Sequence, residues 1–430
     1  MAELLMHSLG VAAQLAANPG FPVNAVAPST GKDALHRRPG DASCRLRSAA
    51  STCHRPLRRD GFRSTTRQTA SIMAKASVAG LRPWSATGNH RAPALVLYAM
   101  RNLLPVLATA LLSACAAPSD LGATDRALIT GRTFVVTGAS SGVGEGAALK
   151  LAAYGGNVVL AARRGNVLEI VAQQARAYGA QALAVPTDMS RPEEVEHLAD
   201  AAVARFGRID AWINDAAVAA IGRFEEVPLE DHARVIDVNL KGYIYGSYAA
   251  LRQFRRQGFG TLVNVSSVEG HVPLAYQASY AATKAGILAV DGAIYEELRI
   301  AGNPHIRIAS VLPWAIDTPL WDHMANYSGG STRFSTMESP WPAVDAVIWM
   351  TIHPQKEIAV GWRAGFGVVG AQLFPGLAAH VAADLEHDAQ FKNPTRVPAT
   401  SGNLFAPMPQ GTTVEGGVRA RTERERAPRD

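Results

Sequence analysis

The strongest constraint on this chain is an alternation that begins at Arg132, in which short apolar, β-branched runs are separated by stretches of helical period. The runs at Thr133–Val136, Asn157–Ala161, Ala182–Val185, Ala211–Ile213, Thr261–Val265 and Ile306–Leu312 are apolar on both alternating faces, and Glu357–Val360 is a shorter seventh candidate. Val167–Tyr178 and Pro192–Phe206, lying between them, read as amphipathic helices. Strands buried on both faces and joined through helices imply parallel pairing, because each crossover returns the chain to the same end of the sheet. The prediction is an α/β domain over residues 125–370, with a doubly wound parallel β-sheet covered by helices on both faces.

The flanking sequence differs in kind. Residues 1–99 hold 13 Lys and Arg against 4 Asp and Glu, so their charge of +9 exceeds the whole-chain +6 and leaves −3 for the rest. The basic balance therefore belongs to the N-terminal stretch, and nothing in the α/β region calls for a nucleic-acid partner. Residues 1–99 show no sustained period and read as disordered extension, as sequence upstream of the true start, or as a transit peptide. Met100-Arg101-Asn102 then precedes an apolar run, Leu103–Leu112, and the small-residue sequence Leu112-Ser113-Ala114-Cys115. Within residues 100–118 this is a signal-peptide pattern resembling a lipobox, and it predicts a membrane tether through Cys115 if translation starts at Met100. The alternative is a cytoplasmic chain with an apolar N-terminal helix. All three cysteines, Cys44, Cys53 and Cys115, precede the first strand, so the α/β region has no thiol for nucleophilic, disulfide or zinc chemistry. Its histidines lack ligand spacing, and no metal site is expected.

The first predicted strand runs into Thr137-Gly138-Ala139-Ser140-Ser141-Gly142-Val143-Gly144, followed by a helix over Glu145–Tyr154. A glycine-rich turn between strand and helix brings bare backbone and free N–H groups to a pyrophosphate. Gly138, Ser140, Ser141, Gly142, Val143 and Gly144 are thus candidates for cofactor contact. At the end of the second strand Ala162 stands where an acid would bind ribose hydroxyls, and Arg163 follows it. An arginine there can pair with a 2′-phosphate, so NADP(H) is favoured over NAD(H).

Chemistry is signalled further along. Tyr280 and Lys284 are four residues apart and share a helix face, Ser267 lies 13 residues before Tyr280, and Asn239 a further 28 before that. A tyrosine needs a neighbouring cation to serve as an acid/base near neutrality. With these motifs in order the chain resembles the short-chain dehydrogenase/reductase family, non-extended type, over Arg132 to about Gly370. The resemblance implies a Rossmann fold and an oxidoreductase moving hydride between a nicotinamide and a small-molecule carbonyl or alcohol. It also implies that Tyr280 is the acid/base, that Lys284 lowers its pKa and holds the nicotinamide ribose, that Ser267 orients the substrate oxygen, and that Asn239 holds a water. By the same resemblance Asp188 contacts the adenine, Asn214 and Ala216 line the cofactor, Pro313 and Thr318 adjoin its nicotinamide end, and the assembly is a homodimer or homotetramer.

Two departures stand out: Asn214-Asp215-Ala216-Ala217 where the family has N-N-A-G, and Pro313-Trp314 where it has P-G. Glu269, Pro273–Gln277, Trp314 and Leu320–Gly330 are expected at the substrate, the last as a mobile lid, and His323 is a weaker catalytic candidate. Residues 371–430 read as a C-terminal extension with one helix at Ala378–His387 and a solvated or disordered tail from Asn393. A cofactor-binding sensor without turnover is the competing class, and the intact tetrad of Asn239, Ser267, Tyr280 and Lys284 argues against it. The spacing T-G-x-x-x-G-x-G argues against an epimerase or dehydratase of the extended type.

Overall fold

In a computed structural model the described residues are 121–426, apart from Ser335 and Asn393. The extension, the signal-like segment and Cys115 lie outside them. Each apolar run forms a strand: β1 (Thr133–Thr137), β2 (Asn157–Ala162), β3 (Ala182–Pro186), β4 (Ala211–Asn214), β6 (Gly260–Val265), β7 (Ile306–Pro313) and β9 (Glu357–Val360). They make one seven-stranded sheet of order β3-β2-β1-β4-β6-β7-β9, parallel throughout. The order reverses at β1, where one crossover series runs to β3 and the other to β9. That switch point opens a crevice at the carboxyl ends of β1 and β4. A two-residue pair, β5 (Ala220–Ile221) with β8 (Ala325–Asn326), lies apart from the sheet.

Helices cover both faces as the pattern requires. Phe134, Val136, Val158 and Leu160 face a layer holding α2 (Gly142–Ala153), α3 (Gly165–Ala177) and α9 (Trp341–Ile352), numbered after a short α1 (Ala123–Ala127). Val135, Val159 and Ala161 point the other way, onto α4 (Pro192–Phe206), α6 (Gly242–Gln257) and α7 (Ala278–Ala301). This alternation along each strand yields two cores back to back. Each large apolar side chain so buried contributes roughly 1.5–3 kcal/mol relative to exposure. Between α4 and α6, α5 (Leu229–Ile236) continues through a π-helical turn, Asp237–Lys241, and the short α8 (Leu320–His323) follows β7.

The C-terminal part differs from the sequence expectation. Residues beyond 370 complete α10 (Gly361–Leu373), form α11 (Pro375–Phe391), and end in α12 (Val418–Arg426), which includes the mixed-charge run read as a solvated tail. Buried Leu404 and Val418 anchor this segment, and Arg419 and Arg421 pair with Asp317 and Asp322. Charge alternation suggests solvation only when no complementary acid faces it, and here the acids sit on the 317–322 segment. Among the described residues no helix is long and apolar enough to cross a membrane.

Candidate active site

The crevice is built from the ends of the strands. Thr137, the last residue of β1, accepts hydrogen bonds at its Oγ1 from Asp215 N (3.0 Å) and Ala216 N (3.2 Å), tying the glycine turn to the loop after β4. Gly138 then turns with φ +73°, and a Cβ there would stand 2.8 Å from Ala216 N. Only glycine fits against that backbone. Ser141 precedes the 12-residue α2 without a side-chain cap, and the first N–H of the helix, Gly142 N, donates to Thr413 O (3.0 Å) instead. Thr318 lies across from it, its Cβ 3.5 Å from where a Cβ on Gly142 would be. The turn residues, Ala216 and Thr318 therefore lie together at this crevice.

The tetrad converges beside this turn. Tyr280, in the first turn of α7, is buried, and its hydroxyl lies near enough to Ser267, the residue that follows β6 by two positions, for the serine to pull its pKa down. Lys284 Nζ donates to Val265 O (2.8 Å) and sits 5.4 Å from the Tyr280 ring centroid. Asn239, within the π turn, spends its side chain on the loop after β4: Oδ1 accepts from Val218 N (2.9 Å) and Nδ2 donates to Val218 O (2.8 Å). Its Nδ2 also reaches Thr283 Oγ1 (3.3 Å), which bonds Tyr280 O (2.7 Å), so the π turn braces the tyrosine's helix.

Electrostatics departs from expectation at one point. Burial raises the Tyr280 pKa above its ordinary value, the charges of Glu269 and Asp215 push the same way, and Ser267 opposes them. The tyrosine is thus a protonated phenol, whereas the sequence argument anticipated an ammonium pulling it toward phenolate. Lys284 is itself shifted down to about 8 by burial, against the attraction of Asp215 and Glu269. Asp215 is held up at about 6, chiefly by burial, with Lys284 lowering it. Glu269 is raised well above its usual range, by burial and by Glu386.

Several predicted residues are occupied elsewhere. Asn214 is fully buried; its Oδ1 accepts from Trp212 Nε1 (2.8 Å) and its Nδ2 donates to Asn264 Oδ1 (2.8 Å). Asn264 in turn donates to Asp291, which also accepts from Ser310. The Asn214 side chain therefore locks β4 to β6, β7 and α7 rather than lining the cofactor, because a polar group buried there must be satisfied by its neighbours. The Asp188 carboxylate is engaged by Ser190 and by Arg234 (2.7 Å). Arg163 donates to the carbonyls of Leu404 (3.0 Å) and Asn403 (2.6 Å). Pro313 ends β7 opposite Val360. Trp314 bonds Thr336 O (3.1 Å) and stands edge-on to Phe334, so it fixes the segment after β7 to the domain. His323 donates to Gln410 O (2.9 Å) and is not directed at Tyr280. Within Leu320–Gly330, β8 pairs with β5 and Tyr327 bonds Asp231 (2.6 Å), which ties this segment down where a mobile lid was expected.

Two groups escaped the sequence reading. Asp215 faces Lys284, and its signal was an acid standing where the resemblance leads to asparagine. Glu386 on α11 is wholly buried beside Glu269, and each leaves an Oε2 without a hydrogen-bond partner. Nothing in the sequence separates Glu386 from its exposed acidic neighbours on the same helix.

A crevice at the strand switch point, a glycine turn on a helix N-terminus and a Ser–Tyr–Lys cluster are together the architecture of one enzyme class. The model of the short chain dehydrogenases matches residues 132–327. An uncharacterized oxidoreductase of Bacillus subtilis, YxnA, is 30% identical over 298 residues, covering 68% of this chain and 83% of the relative. One from Staphylococcus saprophyticus is 36% identical over 196 residues, covering 45% of this chain and 78% of the relative. A solved alcohol dehydrogenase of the archaeon Thermococcus sibiricus, complexed with 5-hydroxy-NADP, is 28% identical with a TM-score of 0.46, covering 53% of this chain and 94% of that one. The chain belongs to the short-chain dehydrogenase/reductase family. It is an oxidoreductase with that family's parallel sheet, and its match to the Bacillus relative is longer than the 132–327 span, so likeness to that relative extends outside the family model.

Proposed function

We propose that the chain is an NADP(H)-dependent reductase or dehydrogenase acting on a small-molecule carbonyl or alcohol, with Tyr280 as the proton-transferring group. The observation that carries this reading is the hydroxyl of Tyr280, beside Ser267 and backed by Lys284, next to a bare glycine turn at a helix N-terminus.

The residues present fit a dinucleotide. Gly138 lets the turn pack bare against the Ala216 backbone, where any side chain would clash, α2 starts without a side-chain cap, and Ser140, Val143, Gly144, Ala216 and Thr318 border the same crevice. When bound, the cofactor supplies the hydride. Ser267 would hydrogen-bond the substrate oxygen, and Tyr280, protonated because of its burial, would donate the proton that the developing alkoxide requires. Lys284, held by Val265 O, keeps a cation beneath the phenol and offsets negative charge there. Asn239 positions these groups through Val218 and Thr283. Glu269, half-buried with an Oε2 that has no hydrogen-bond partner near Tyr280, favours a substrate with a second polar group. NADP(H) is favoured over NAD(H) because Ala162 offers no carboxylate to the ribose while Arg163 and Arg164 follow it.

The test is a screen of NADPH oxidation against aldehydes and ketones, and of NADP reduction against alcohols, with Tyr280→Phe alongside. The variant should lose about 10²- to 10⁴-fold in kcat while its NADPH affinity changes little. Retained turnover in Tyr280→Phe would remove the tyrosine from the mechanism.

A further inference from the structure

The segment between the two buried anchors Leu404 and Val418 runs along the same crevice, and it presents to the crevice mainly its backbone carbonyls. Thr413 O accepts from Gly142 N (3.0 Å), one of the N–H groups at the start of α2. Arg164, after β2, donates to Gln410 O (3.0 Å) and Gly411 O (3.0 Å), and Arg163 donates to Leu404 O and Asn403 O. These donors are the ones a dinucleotide's phosphates would need: a helix N-terminus and two guanidinium groups. Carbonyl oxygens carry partial negative charge, so a row of them is a weak substitute for a phosphate chain. Past this row Gly416 N donates to Asp317 O (3.0 Å), beside Thr318. The segment thus runs from the end of β2, over the glycine turn, to the residue expected at the nicotinamide end.

We propose that residues 405–417 form a built-in strap that occupies the phosphate-binding groups of the crevice and must lift for the cofactor to bind. The proposal rests on the dinucleotide reading above. Two features make the strap removable. Its side chains are mostly exposed between the anchors, with Phe405, Pro407, Thr412 and Thr413 all facing solvent, so little apolar surface holds it. Its backbone closeness depends on two glycines: a Cβ on Gly411 (φ +66°) would stand 2.4 Å from His323 Nε2, and one on Gly416 would stand 2.4 Å from Thr318 O. Lifting exposes few apolar atoms and returns Gly142 N and the Arg164 guanidinium to the crevice, while Arg163 stays on Asn403 O and the Leu404 anchor. Binding energy of the nucleotide is then partly consumed in displacing the strap, so apparent affinity is lower than the crevice alone would give.

The test uses the full chain. NADPH and NADH are titrated into the wild type and into the variant Gly411→Ala, whose Cβ would meet His323 and Pro319 and so push the strap outward without touching the glycine turn or Thr318. The variant is expected to bind NADPH at least tenfold more tightly. Unchanged or weaker binding would overturn the proposal, weaker binding meaning that the strap completes the site. Hydrogen exchange on the unaltered chain gives an independent answer if the variant folds poorly. Saturating NADPH should speed exchange at the amides of 405–417, and slowed or unchanged exchange there overturns the strap. Absence of saturable binding of either nucleotide to both proteins, on folded samples, would instead remove the dinucleotide reading and the strap with it.

Discussion

Glu386 shows how far a single buried group can set the behaviour of this site. Its carboxyl lies within the domain with only Gln277 for a hydrogen bond, and burial raises its pKa to about 8. In the unfolded chain the same group titrates near 4.5. The folded state therefore binds this proton more tightly, and the contribution of Glu386 to stability is fully present below pH 4.5 and is lost as pH rises toward 8. Asp291, held at about 6 by burial, acts with the same sign over a narrower range. Glu386→Gln should flatten the dependence of Tm on pH between 5 and 8 and raise Tm at pH 8 by several degrees, since about 1 kcal/mol shifts Tm by roughly 2–4 °C in a domain of this size. A thermal melt series of both proteins checks this, and a wild-type Tm that is level across that range would contradict it. Arg163 offers a second test at this scale. Arg163→Ala should raise the KM for NADPH at least tenfold and leave that for NADH nearly unchanged, because only the former carries a 2′-phosphate for the guanidinium. Equal effects on both would assign Arg163 to holding Asn403 and Leu404 alone.

At the level of elements, the turn between β1 and α2 has the least tolerance. Gly138→Ala would require a side chain at φ +73°, 2.8 Å from the backbone of Ala216. Strain of that kind costs about 1–3 kcal/mol, and relief by moving the 214–217 loop would also disturb the crevice. The variant should fold with a lowered Tm and lose cofactor binding by well over tenfold, as measured by NADPH fluorescence titration; unaltered affinity would place the nucleotide elsewhere. This turn was legible in the sequence, as was every strand of the large sheet, because burial on both faces writes itself into consecutive side chains. Tyr280, Ser267 and Lys284 were legible because their spacing survives projection onto a helix and a strand end. The strap was not. Its contacts run through the carbonyls of Gln410, Gly411 and Thr413, and a carbonyl is the same in every residue. The side-chain role of Asn214 was misjudged for a related reason: position in the chain told where the residue lies, but not that Trp212 and Asn264 would take up its amide.

For the whole molecule, the outer surfaces of the two long helices raise the matter of assembly. α6 exposes Ile244 and Tyr248, and α7 exposes Tyr295 and Ile300. Inward-facing residues of the same helices, such as Phe254 and Leu298, already supply the core. Apolar side chains left outside on both helices are surface that a second copy can bury. A twofold axis would let one patch meet its own copy, so a single substitution acts twice at the interface. The homodimer or homotetramer implied by the resemblance is thus best sought on α6 and α7. Tyr248 is more than half exposed and has Arg252 over its ring, so changing it should leave the fold intact. Tyr248→Glu would set a carboxylate against its symmetry mate across an apolar contact. Light scattering coupled to size exclusion at micromolar concentration should give a dimer or tetramer for the wild type and a smaller species for the variant. A monomeric wild type would remove the assembly, and a variant of unchanged mass would move the interface off these helices and leave the exposed apolar residues of α10 and α11, including Trp362, Phe366 and Leu377, as the next surface to test.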